Sequence, residues 1–253
     1  MSRPRIRRFP DLESLASGAA EDLADCVERA IREAGRCRIA MAGGSTPRPV
    51  YRLVAGPDLA SRIEWDRVHV FWGDERCVPP TDPASNYRMV HDELLARVPI
   101  PERNVHRIEG ERSPDDAARA YAETLGDDPM DLVLLGMGGD GHTASLFPDT
   151  PGLGRHEARV VATVAPVAPV HRVTLTLRAI NEAVAVRFWV SGAAKAEPVA
   201  EVFRQIESGA AWLPAARVRP HSGRLCWLVD AAAAERLRYS PAPGGPDNRW
   251  GRE

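Results

Sequence analysis

Short apolar runs alternate with amphipathic segments along most of the chain, and this alternation limits the possible folds more than any other feature. Runs at 6–9, 38–41, 68–72, 104–107, 132–135, 160–164, 173–177, 184–190 and 224–229 have the length and side-chain content of strands. Helical periodicity occupies 11–34, 47–55, 85–96, 114–125, 193–207 and 230–237. Strands alternating with helices imply parallel βαβ units. The expected fold is therefore α/β, a doubly wound and mostly parallel sheet with helices on both faces. Ligands in such sheets bind beyond the carboxyl ends of the strands.

A chain of 253 residues can bury the core of one large domain. Residues 1–239 are expected to form that domain, with the Pro-rich "APVAPVHR" at 165–172 as a connection inside it. The end, "SPAPGGPDNRWGRE", forms a core poorly, and 240–253 is expected to be a flexible tail. A formal charge of −2 gives no basic field for nucleic acid, so no nucleic-acid partner is expected. No apolar run approaches membrane-spanning length, and "MSRPRIRRFP" lacks the apolar stretch of a secretory signal. Cys26, Cys37, Cys77 and Cys226 are scattered without CxxC spacing, which suits a reduced cytoplasmic protein. The seven histidines show no ligand spacing, so neither a metal nor another cofactor is expected.

Three polar loops follow three of the strands. In "MAGGSTPRPVY", Gly43 and Gly44 let the backbone approach a ligand closely. Ser45 and Thr46 can cap a helix that Pro47 begins, and amides at that helix start would cradle a phosphate. The same turn serves equally as a capped βα connection with no ligand. It is no Walker A loop, because the Lys-Ser/Thr ending is missing. In "VFWGDERCVPPTDPASNYRM", Arg76 can grip a phosphate with its planar fork, while Asp74 and Glu75 orient neighbours. Asn86 is either a polar ligand contact or an ordinary residue of a helix capped by Ser85.

The third loop, "LGMGGDGHTASLFP", contains a literal G-x-G-x-x-G from Gly136 through Gly138 to Gly141. Dinucleotide binding also requires an acidic residue closing the next strand. The next strand closes with Ala165-Pro166 instead, so that reading fails. What remains is His142, an imidazole suited to deprotonating water, with Asp140 two residues away to orient it. A serine hydrolase is not supported: there is no G-x-S-x-G elbow, and Ser145 is expected on a helix after the loop.

Together the loops resemble the 6-phosphogluconolactonase family, within the glucosamine-6-phosphate isomerase/6-phosphogluconolactonase group. The matching residues are "GGSTP" at 43–47, "GDERCVPPTDPASNYRM" at 73–89 and "LGMGGDGHTASLFP" at 135–148, with weaker matches "HRVTLTLRAIN", "VSGAAKAEPV" and "GRLCWLVDAAAA". The resemblance spans about residues 5–235. It implies a Rossmann-like sheet and a phosphorylated sugar lactone as substrate, hydrolysed with His142 as base. Phosphate contacts would fall on the Gly44-Ser45-Thr46 turn, Arg76 and Lys195. Gly43, Asn86 and Gly138 are further candidate substrate contacts, and Arg172, at the start of strand 173–177, is either another or an ordinary surface arginine. Lys195, the single lysine among 33 basic side chains, gains a role here because it follows Ser191-Gly192 in the family's "SG..K" pattern; the count alone is equally a matter of chance. A monomer or weak homodimer is expected. The related deaminases carry a "GHIAFNEP"-like segment where this chain has "GHTASLFP", and "MDEY" where it has "WGDER". A sugar-phosphate-binding regulator without catalysis is the alternative from a different class.

Overall fold

The computed structural model describes residues 4–154, 157–221 and 224–238. The strands are β1 (Arg5–Phe9), β2 (Cys37–Met41), β3 (Val68–Trp72), β4 (Asp74–Arg76), β5 (Leu132–Leu135), β6 (Val160–Val164), β7 (His171–Leu175), β8 (Ala185–Val190) and β9 (Arg224–Asp230). The helices are α1 (Leu12–Ala34), α2 (Pro47–Val54), α3 (Pro57–Ala60), α4 (Asn86–Glu93), α5 (Pro114–Leu125), α6 (Pro151–Gly154), α7 (Leu177–Asn181) and α8 (Ala196–Ser208).

Six strands form one parallel sheet in the order β1-β9-β8-β5-β2-β3. Strands β2, β5 and β8 are buried along their whole length, as parallel strands covered on both faces must be. From β2 the chain runs outward to β3, and from β5 it runs the other way to β8 and β9. The order therefore reverses between β2 and β5, and the loops leaving these two strands diverge and open a crevice between them. The expected doubly wound sheet is present.

Helix ends follow local chemistry. The Asp11 side chain accepts the Ser14 amide at 2.7 Å to start α1, and Gly35, at φ 75°, ends it. Three tryptophans, Trp72, Trp189 and Trp227, are fully buried in the core, with Phe188 stacked on Trp227 at 3.9 Å between ring centroids. Arg187 of β8 reaches Asp22 of α1 at 2.7 Å as a buried pair.

Several expectations need correction. Strands β4, β7 and β6 form a separate antiparallel sheet, outside the parallel one. The reason is chain length: residues 165–170 between β6 and β7 are too few for a crossover helix, so the pair closes as a hairpin. Strand β4 went unanticipated because Asp74-Glu75-Arg76 has no apolar alternation. Residues 104–107 form no strand; a 3₁₀ turn, Glu102–Asn104, leads into a single bridge, Val70 to Val105. The expected strand 173–177 is shifted to His171–Leu175, because Thr176 caps α7, its hydroxyl accepting the Ala179 amide. Residues 231–236 form turns instead of a helix. No helix follows the glycine loop directly; Ser145 lies in a tight turn closed by Leu146 N–H to Thr143 O at 2.9 Å. The expected tail, 240–253, lies outside the described residues.

Candidate active site

The loop leaving β2 turns through Gly44, which sits at φ 110°, a conformation open to glycine and strained for other residues. Gly43 is required by space: a Cβ there would lie 1.8 Å from Asn86 Oδ1. The anticipated hydroxyl cap of α2 does not form. Thr46 occupies the cap position without a side-chain cap bond, and its hydroxyl meets the Ser191 hydroxyl at 2.8 Å instead. Pro47 and Pro49 have no N–H, so the donors available at this helix start are the amides around Gly44–Thr46. Ser45 is exposed.

The second loop is organised by Glu75. Its carboxylate accepts the amides of Arg76 (2.8 Å), Asn86 (2.7 Å) and Tyr87 (2.7 Å), and the Ser85 hydroxyl (3.0 Å). Burial pushes its pKa up, and these four bonds pull against that shift. Glu75 therefore fixes the start of α4, the orienting role expected of it. The Asn86 amide group donates to the Asp74 carbonyl at 2.9 Å, which places Asn86 against Gly43.

Arg76 donates to the Ala84 carbonyl, and its Nε is buried without a partner. Directly across the β4–β7 pair stands Arg172, whose Nε donates to the Pro169 carbonyl at 2.6 Å. Burial, followed by the charge of Arg76, holds the Arg172 pKa below its ordinary value. The expected strand start at 173 left Arg172 outside the strand; it lies within β7, facing its counterpart.

In the third loop, His142 Nδ1 lies 2.5 Å from Asp140 Oδ1, and its ring packs on Phe147 with centroids 4.4 Å apart. Asp140 also accepts the His142 amide at 3.1 Å. Burial alone would raise the Asp140 pKa, but this amide and the imidazole outweigh it and hold the carboxyl below its usual value. A carboxylate at Nδ1 keeps the proton on that nitrogen and leaves the lone pair on Nε2. Gly138 lines the cleft, but its amide is already donated to the His142 carbonyl at 2.9 Å. Its contribution is room: a Cβ there would lie 2.0 Å from His142 Nδ1.

The fourth loop follows β8. The Asp230 carboxylate accepts the Gly192 amide at 3.0 and 3.1 Å, fixing the turn that precedes Lys195. Burial lowers the Lys195 pKa, and the negative charge of Asp140 opposes this. Among the described residues no carboxylate forms a salt bridge with Lys195, Arg76 or Arg172.

These loops enclose a cleft of about 320 Å³ at the reversal point of the sheet. Gly43, Gly44, Ser45, Thr46, Arg76, Asn86, Gly138, His142, Arg172 and Lys195 all line it, and Asp140 braces His142. Ser145, Phe147, Trp189 and Ser191 line it too and were not anticipated. Ser145 and Phe147 lie within the "LGMGGDGHTASLFP" match and Ser191 within "VSGAAKAEPV", whereas Trp189 carried no signal beyond its strand. Among the described residues no cluster of three or more His, Cys, Asp or Glu side chains could hold a metal ion. Chemically, the cleft offers one carboxylate-braced base beside three cations, an arrangement suited to an anionic substrate attacked by water.

Comparison with known proteins shows which family the chain resembles. Residues 10–227 match the family described as glucosamine-6-phosphate isomerases/6-phosphogluconolactonase. The 6-phosphogluconolactonase of Nostoc sp. is 39% identical over 242 residues, covering 92% of this chain and 98% of that protein. The crystal structure of 6-phosphogluconolactonase from Thermotoga maritima superposes with a TM-score of 0.79 at 32% identity, covering 90% of this chain and all of that one. A monomeric glucosamine-6-phosphate deaminase superposes with a TM-score of 0.76 over 92% of this chain and 99% of that one. At 21% identity, that likeness shows the shared fold alone.

Proposed function

The chain belongs to the glucosamine-6-phosphate isomerase/6-phosphogluconolactonase family, and from that premise we propose that its cleft hydrolyses 6-phospho-D-glucono-1,5-lactone to 6-phospho-D-gluconate, a step of the oxidative pentose phosphate pathway. One observation carries the reading: a histidine braced at Nδ1 by Asp140 shares its cleft with Arg76, Arg172 and Lys195. A lactone is an activated ester, so a single base suffices without a covalent nucleophile.

His142 Nε2 takes a proton from water as the water oxygen bonds to C1. The C1 carbonyl electrons move onto its oxygen, giving a tetrahedral oxyanion. That oxyanion collapses, the bond from C1 to the ring oxygen breaks, and the imidazolium returns its proton to the departing oxygen. Asp140 stabilises the imidazolium meanwhile. The amides of Gly138, Gly141 and His142 are committed to bonds within the loop. The positive field of the cleft shares in stabilising that oxyanion. Arg76, Arg172, Lys195 and the Gly44–Thr46 turn hold the phosphate.

No helix among the described residues is long and apolar enough to cross a membrane, and the four thiols are unpaired, which suits a reducing cytoplasm. The test compares acid release from freshly generated 6-phosphogluconolactone with ammonia release from glucosamine 6-phosphate. Acid release alone is expected. Ammonia release would favour the deaminase, and neither product a non-catalytic sugar-phosphate binder.

A further inference from the structure

Two residues after His142, Ala144 sits at φ 48°, in the left-handed region where a residue with a Cβ is disfavoured. It occupies the second position of the Thr143–Leu146 turn, a place usually taken by Gly, Asn or Asp when φ is positive. Such a conformation persists only when its surroundings impose it. The Thr143 hydroxyl donates to the Gly136 carbonyl at 2.8 Å, and the Ser145 amide donates to the Thr174 hydroxyl at 3.2 Å. The Ser145 hydroxyl donates to Asp74 Oδ2 at 2.6 Å, a short bond to a carboxylate 71 residues away. Ser145 and Asp74 are 1% and 9% exposed.

Asp74 holds more than this turn. Its backbone carbonyl receives the Asn86 side-chain amide at 2.9 Å, and Asn86 packs against Gly43. One residue thus ties the loop carrying the base to β4, which carries Arg76, and to the loop after β2.

We propose that Asp74, through Ser145, is a positioning residue for His142: it clamps the left-handed Ala144 turn and so sets the imidazole at a fixed distance from the phosphate-binding side of the cleft. This rests on the lactonase reading. Asp74 moves no proton and forms no bond in the reaction. Removing the clamp lets Ala144 relax toward negative φ, and the imidazole moves with the turn.

The test measures kcat and KM for 6-phosphogluconolactone, the dissociation constant for 6-phosphogluconate and the melting temperature, in four proteins. These are wild type, Ser145→Ala, Asp74→Asn and the double variant Ala144→Gly/Ser145→Ala. Absence of lactonase activity in the wild type would sink the functional reading itself, before any variant is considered. Given activity, Ser145→Ala should lower kcat about ten- to a hundredfold, the scale of a misplaced catalytic group. Phosphogluconate affinity should stay within about twofold, since the cations are untouched. Asp74→Asn, which keeps an acceptor but loses the charge, should fall between wild type and Ser145→Ala. Glycine adopts the left-handed turn without a clamp, so Ala144→Gly should recover much of the lost kcat in the double variant. Wild-type kcat in Ser145→Ala would overturn the proposal. So would a kcat loss matched by equal loss of product affinity, or one that Ala144→Gly leaves unrelieved. If Ser145→Ala fails to fold, the Asp74→Asn protein decides: unchanged kcat refutes the clamp, and lowered kcat with intact product affinity supports it.

Discussion

Arg76 and Arg172 stand directly opposite one another in the β4–β7 register, without a salt-bridge partner for either among the described residues. Like charges placed directly across a sheet pair repel, and here each is also partly desolvated. An anion between them would relieve both costs.

The first prediction follows from that pair. Inorganic phosphate should raise the melting temperature above its value in chloride at matched ionic strength. A ligand at a hundred times its Kd adds about 2.7 kcal/mol of stability. Arg172→Ala should lose most of the shift. An equal response to phosphate and chloride in the wild type would show that no anion site exists there.

Lys195 gives the second prediction. Its loop is fixed by Asp230 and its ammonium faces the cleft without a salt bridge. Lys195→Ala should lower kcat/KM for the phosphorylated lactone by about 1.5–3 kcal/mol, roughly ten- to a hundredfold. Unphosphorylated gluconolactone should be processed poorly by wild type and little worse by the variant. Lys195→Arg should recover only part, because a planar fork does not fit a point-charge position. An unchanged ratio of kcat/KM for the two lactones would remove Lys195 from the phosphate site.

Asp140 gives a prediction in pH. Its carboxyl is held below the ordinary value of about 3.9 in the folded protein. In the window between the folded and unfolded values the unfolded chain binds more protons, so stability rises with pH there. The Asp140 contribution is complete above the unfolded value and disappears as pH falls through the folded one. Urea unfolding followed from neutral to acidic pH should therefore show a shallower acid-side loss in Asp140→Asn than in wild type. Parallel curves would mean that Asp140 gains nothing from its contact with His142.

The parallel sheet was legible because β2, β5 and β8 are continuous apolar runs, and burial on both faces demands such runs. The same logic failed for β4, where Glu75 is buried by four hydrogen bonds instead of by apolar packing. It failed again for β6 and β7, which look like members of the main sheet until the short 165–170 connection is weighed. At the site, the glycine and charged loops were visible because each interrupts an apolar run. Gly138 was visible as a loop glycine, but its reason, clearance for the His142 ring, depends on contacts across the loop. Ser145 reads as helical from sequence because nothing local announces a left-handed alanine before it. Its bond to Asp74 joins two segments 71 residues apart, and only the folded chain brings them together.

The central claim is that His142 Nε2 deprotonates the attacking water. It is tested most directly by the turnover of His142→Asn on freshly generated 6-phosphogluconolactone, corrected for spontaneous hydrolysis, with 6-phosphogluconate binding measured alongside. The account predicts a kcat lower by 10²–10⁴-fold, on the order of 3–5 kcal/mol of barrier, with product affinity largely kept. Near-wild-type turnover above the spontaneous rate would contradict it.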